Sequence, residues 1–113
     1  MEPIIKDIDT ITAVPTAHHI GVKQVLLSCS DTTSAVTQIA RTQLLQGEQV
    51  EEHVHKTMDE HYLFQDGVGV MTVDGISYEC RSGIYFLVPA GCSHSLRAVQ
   101  NMTFFTLGIA CDK

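Results

Sequence analysis

From Lys23 onward the chain runs in short apolar and polar alternations, and glycine or proline interrupts it about every 8 to 12 residues. The segments KQVLLSCS and SAVTQIARTQLL contain neither Gly nor Pro and are rich in Val, Ile, Thr and Leu, side chains that suit a pleated, half-buried surface. Gly47, Gly67, Asp74-Gly75, Gly83, Pro89 and Gly91 then punctuate the segments DEHYLFQ, VGVMTV, ISYECR, IYFLVP, SHSLRAV and MTFFTLGIAC. Many short strands with regular turn signals predict an all-β sandwich or barrel. Asp74-Gly75, between VMTV and ISYE, predicts a two-residue hairpin, since Gly accepts positive φ without a steric cost. Residues 1–22 have a different texture: Pro3, Pro15 and the short apolar pieces Ile4-Ile5 and Ile11 to Val14 predict an N-terminal arm or edge strand. Residues 23–113 are left as one barrel domain.

One stretch carries two periods. Val50, Val54, Met58 and Tyr62 recur every fourth position in QVEEHVHKTMDEHY and would line one face of a helix. On a helix, however, His53 and His55 diverge by about 200°, whereas on a strand residues i and i+2 face the same side. If the two imidazoles act together, the segment is a strand.

At 113 residues the chain has room for one domain and one core. Seven Lys and Arg against thirteen Asp and Glu give a net charge of −6, and the basic residues are scattered, so no stripe exists to neutralise a nucleic-acid backbone. No run of 18 apolar residues suggests a membrane span, and the acids in MEPIIKDIDT break up the apolar core that a signal peptide would need. A cytoplasmic protein is expected. Cys29, Cys80, Cys92 and Cys111 show no CxxC spacing and are expected to be reduced and mostly buried.

Two spaced motifs change the picture. From Gly47 the chain reads G-x5-H-x-H-x4-E-x6-G through His53, His55, Glu60 and Gly67; from Gly83 it reads G-x5-P-x-G-x2-H through Pro89, Gly91 and His94. This pair resembles the first and second motifs of the cupins, with residues 68–82 as a short insert between them. At average usage of about 7 % Gly and 5 % Pro, the four glycines and one proline alone would match this register roughly once in a million trials. The resemblance covers residues 47–94 and implies a double-stranded β-helix, the jelly-roll barrel of that family. One departure is Ala98, where the family's second motif often ends in Asn. The three glycines Gly67, Gly83 and Gly91 are expected at turns that need positive φ or close strand approach.

The resemblance makes His53, His55, Glu60 and His94 the candidate metal ligands. Three imidazole nitrogens and one carboxylate suit a divalent first-row metal (Mn, Fe, Ni or Zn) and not an all-oxygen calcium or magnesium site. On a six-coordinate ion they leave two positions for water, dioxygen or a bidentate substrate. Alternation from Glu60 places Tyr62 and Phe64 on the ligand face, making the Tyr62 hydroxyl a candidate for substrate binding or proton transfer, while His61 points away. Cys92 is either a thiol activated by a nearby cation or a small turn residue, and His18-His19, with no partner acid or Cys nearby, are read as loop or interface residues. The expected function is a metal-dependent enzyme on a small oxygen-rich substrate, of isomerase, epimerase or dioxygenase type. The alternative is a non-catalytic module that binds a small molecule or metal complex. Relatives of this size are usually dimers, so a homodimer joined through residues 1–22 is expected.

Overall fold

The glycine- and proline-punctuated segments form ten strands and two short 3-10 turns in the computed structural model, which describes residues 2–111. The strands are β1 (Val14–Pro15), β2 (Val22–Ser28), β3 (Val36–Leu44), β4 (Gln49–Val54), β5 (Met58–Asp66), β6 (Val68–Val73), β7 (Ile76–Arg81), β8 (Tyr85–Val88), β9 (Ser93–Ala98) and β10 (Met102–Ala110). They build a six-stranded sheet in the order β1-β2-β3-β10-β5-β8 and a four-stranded sheet in the order β4-β9-β6-β7. This is the expected all-β double-stranded β-helix. The stretch with two periods is strand, β4 followed by β5, and no α-helix occurs among the described residues. Glu60 is the third residue of β5, because pairing with β10 already begins at Met58.

The core lies between the sheets and follows the alternation. His94, Leu96 and Ala98 of β9 point inward, as do Tyr62 and Phe64 of β5, Met71 of β6, Cys80 of β7, and Met102 and Phe104 of β10. Phe64 and Phe104 meet with ring centroids 5.5 Å apart, a tilted contact that suits the ring quadrupoles. Asp74 (φ 47°) and Gly75 (φ 83°) turn β6 into β7, the conformation a two-residue hairpin of this hand requires. Gly67, Gly83 and Gly91 also have positive φ.

The first residues run along the outside of β2. Lys6 Nζ donates to the Leu26 carbonyl at 2.6 Å, and Gln24 Nε2 donates to the carbonyls of Ile8 and Ile11, each at 2.9 Å. Val14–Pro15 then adds the short edge strand β1 to β2. All four cysteines are free; Cys80 is buried, Cys92 and Cys111 are half-buried, and Cys29 is exposed against the general expectation. No helix among the described residues is long and apolar enough to cross a membrane.

Candidate metal centre

A bulge in β4 aims the first imidazole inward. Val50 pairs with Leu96 and His53 with His94, so β4 advances three residues while β9 advances two. One extra residue reverses the alternation at that point, and Val50 and His53 both face the interior although their spacing is odd. His55 lies just beyond the end of β4, two residues on, and keeps the same side. His94 stands across the strand pair from His53, and Glu60 comes from β5 in the other sheet. The ligand atoms of His53, His55, Glu60 and His94 all lie within 4.8 Å of one another.

The hydrogen bonds around this group fix which nitrogens face it. His53 Nδ1 lies 2.8 Å from the Glu51 carbonyl oxygen, and His94 Nδ1 lies 3.2 Å from that of Cys92. A carbonyl only accepts, so each Nδ1 carries a hydrogen, and Nε2 is the nitrogen left to face the cluster. His94, only 1 % exposed, then holds its Nε2 3.2 Å from Glu60 Oε1. At that distance the two atoms share either a hydrogen or a cation. His55 Nε2 is 3.7 Å from the same oxygen. Burial alone would raise the Glu60 carboxyl, but His94, Tyr62 and His55 outweigh it and hold the acid below its usual range. Burial lowers the His53 imidazole; the Glu51 carbonyl opposes this, while His94, His18 and His55 add to it. A lowered Glu60 carboxyl and a lowered His53 imidazole both favour the protonation state that a metal ion requires of such a ligand.

Tyr62 is buried, and its hydroxyl donates to Glu60 Oε1. Burial first, and the Glu60 charge second, push the phenol well above its ordinary range, so at neutral pH it keeps its proton. Phe64 stacks beside it at 5.8 Å. His61 points to the outer face as expected, where its Nδ1 lies 2.5 Å from the Tyr85 hydroxyl. The Cys92 thiol is pushed up, by burial and then by Asp74, and is not activated; the residue contributes its carbonyl to His94 instead. Ala98 belongs to the core and is tied through its backbone to Gly47 and Glu48, at 2.8 and 2.9 Å.

His18 lies in a loop as expected, and its ring comes 4.3 Å from that of His53, a contact the sequence reading did not include. It sits in the turn between β1 and β2, which is closed by the Thr16 hydroxyl donating to the Ile20 carbonyl at 2.6 Å. Nothing local to His18-His19 signals this, because the contact depends on where the arm is anchored. His18, Lys23, Thr42, Val50, Leu96 and Phe104 line, together with the cluster, a cavity of about 260 Å³.

Comparison with known proteins agrees with this fold. The family model of the cupin domain matches residues 40–107. The dimethylsulfoniopropionate lyase DddW of Ruegeria pomeroyi is 34 % identical over 64 residues, which are 57 % of this chain and 41 % of the lyase. The chain thus spans about two-fifths of the length of that curated relative. Among solved structures, a predicted oxalate decarboxylase of Thermotoga maritima superposes with a TM-score of 0.87 at 22 % identity, covering 95 % of this chain and 99 % of the other. Ectoine synthase of P. lautus gives 0.83 at 19 % identity, covering 96 % and 79 % respectively. At these identities the superpositions speak for the fold alone.

Proposed function

Because the chain belongs to the cupin family, in which metal binding is common, we propose that His53, His55, Glu60 and His94 hold one divalent transition metal (Mn, Fe, Ni or Zn) and that the protein is an enzyme acting on a small oxygen-rich substrate. The observation that carries this reading is the convergence of four ligand atoms within 4.8 Å of one another, with His94 Nε2 3.2 Å from Glu60 Oε1 and His94 Nδ1 turned to the Cys92 carbonyl. A bound divalent ion there supplies Lewis acidity toward the oxygens of a substrate. The chain's own groups do the rest. The Cys92 and Glu51 carbonyls orient two imidazoles, Tyr62 holds a proton against Glu60, and Val50, Leu96 and Phe104 give the cavity an apolar wall. As a phenol beside a carboxylate, Tyr62 serves as a positioning group and a proton donor, not as a base. A lyase among the matched relatives favours an isomerase- or lyase-like reaction; a dioxygenase becomes the reading if the ion is iron. A non-catalytic binding module is the second reading, favoured by the commitment of the Tyr62 hydroxyl to Glu60.

Elemental analysis of protein purified without an affinity tag tests the metal assignment. About one ion per chain is expected in the wild type and a large loss in His53→Ala and His94→Ala with the barrel still folded. Wild-type metal content in both variants would overturn the ligand set. Turnover of sugar phosphates, hydroxy-ketones and small carboxylates by protein reloaded with each metal, in air and without it, tests the enzyme reading. Tight binding without turnover under every condition would favour the binding module. The free thiols suit a reducing compartment such as the cytoplasm, and Ile4 and Ile5, 45 % and 91 % exposed, suit a homodimer contact. If that contact exists, light scattering shows a dimer that the paired change of Ile4 and Ile5 to Glu dissociates.

A further inference from the structure

Lys23 on β2 lines the same cavity as the imidazole cluster, and it is half-buried there. Its ammonium donates to Gln38 Oε1 at 3.1 Å, which uses one of its three hydrogens on a neutral acceptor. The described ion pairs are Lys6 with Asp31, Arg41 with Asp9, and His55 and His94 with Glu60; none reaches Lys23. Glu60 is the one carboxylate among the described lining residues, and it is engaged by Tyr62 and His94. A chain of net charge −6 therefore keeps an uncompensated cation at the wall of its cavity. Holding an ammonium partly out of water without a counter-charge is unfavourable, and a ligand that brings the counter-charge removes the cost.

We propose that the cavity binds a small carboxylate, with the carboxylate group on Lys23 and an oxygen at its other end toward His53, His55, Glu60 and His94. The far end of this arrangement rests on the metal reading above; the Lys23 end does not. A volume of about 260 Å³ falls below the range of about 300–1,000 Å³ usual for drug-sized ligands, which limits the guest to a short molecule. Val50, Leu96 and Phe104 suit a short carbon chain between two polar ends. The described lining includes no arginine, the fork that phosphate groups favour, and Arg41 is held by Gln24 at 3.0 and 2.7 Å. One ammonium is matched to a single negative charge.

The test is calorimetric titration of nickel-loaded and metal-free protein with 3-hydroxybutyrate, with its neutral amide and with inorganic phosphate. The carboxylate is expected to bind about tenfold or more tightly than either comparison ligand. Lys23→Met is expected to remove that preference while leaving metal content unchanged and the thermal midpoint of the free protein equal or higher, and Lys23→Arg to restore most of it. Lys23→Gln replaces the methionine variant should that one fail to fold. Equal binding of acid and amide by the wild type, undetectable binding of the acid at millimolar concentration, or a Lys23→Met protein with wild-type preference would each overturn the inference. A stronger response to phosphate would overturn it in favour of a phosphorylated ligand. If the wild type takes up no nickel, the metal reading fails, while a Lys23-dependent preference for the acid in that same protein would still support the carboxylate site.

Discussion

Gly67 makes the corner at which the chain leaves the six-stranded sheet as β5 and enters the four-stranded sheet as β6, and replacing it by Ala should be far more costly than the same change at Gly83. Both residues have left-handed backbone, with φ of +84° and +89°, so both substitutions share a conformational cost of about 1–2 kcal/mol. Their surroundings differ. A Cβ at Gly83 meets nothing within 4 Å, whereas one at Gly67 runs into the Asn101 carbonyl oxygen and stands 2.7 Å from Met102 Cα and 2.8 Å from Met102 Cβ. Two of these neighbours are backbone atoms of the return corner between β9 and β10, so no rotamer change relieves the overlap. Overpacking of this kind adds about 1–3 kcal/mol, which puts Gly67→Ala at about 2–5 kcal/mol and Gly83→Ala at about 1–2 kcal/mol. With no Trp in the chain, urea unfolding followed by far-ultraviolet circular dichroism is the assay. At a slope of about 1–3 kcal/mol per molar urea, a gap near 2 kcal/mol separates the two midpoints by roughly 1 M. Coincident midpoints would refute the reasoning, because they would mean that the Asn101–Met102 corner yields freely and that only φ matters.

Tyr62→Phe removes a donor from the Glu60 carboxylate without touching a ligand atom, and is expected to lower metal affinity about 10- to 100-fold in competition with a chromophoric chelator; unchanged affinity would end the positioning role. His18→Ala is expected to keep one ion per chain, since His18 lies against His53 but outside the group of four; a loss as complete as that of His53→Ala would make it a ligand. Burial pushes the Cys80 thiol up to about 11. Because the folded state holds it neutral, its contribution, on the order of 2 kcal/mol, is complete below about pH 9 and fades as the pH rises toward 11. The stability of Cys80→Ala should therefore fall less over that window, and an identical fall in wild type and variant would refute the assignment. The same burial makes Cys80 unreactive toward aromatic disulfide reagents until denaturant is added, while exposed Cys29 reacts at once.

What the sequence made legible was local chemistry. β6, β7 and β8 are bounded by Gly67, Asp74-Gly75, Gly83 and Pro89, whose own backbone preferences end a strand, and Asp74-Gly75 specifies its hairpin without help from the rest of the chain. The fourfold spacing of Val50, Val54, Met58 and Tyr62 misleads because four is also a multiple of the strand period, so an apolar repeat of that length is compatible with both structures. The strand does not use all four positions alike: Val50, Met58 and Tyr62 line the cavity, and Val54 is 44 % exposed. The difference comes from the bulge between Val50 and His53, without which strict alternation would turn His53 outward whenever Val50 faced in. A bulge is decided by pairing with a distant strand, here Leu96 and His94 of β9, and leaves no mark in QVEEHVH that a reading of single residues could find. His18 was missed for the same reason at longer range. Its place beside His53 requires Val14–Pro15 to pair with Val22 and Lys23, and that same pairing puts Lys23 on the strand that lines the cavity. The arm thereby brings an imidazole to the site, and the strand it pairs with brings a cation, so a change in β1 pairing should alter ligand preference before it alters metal content.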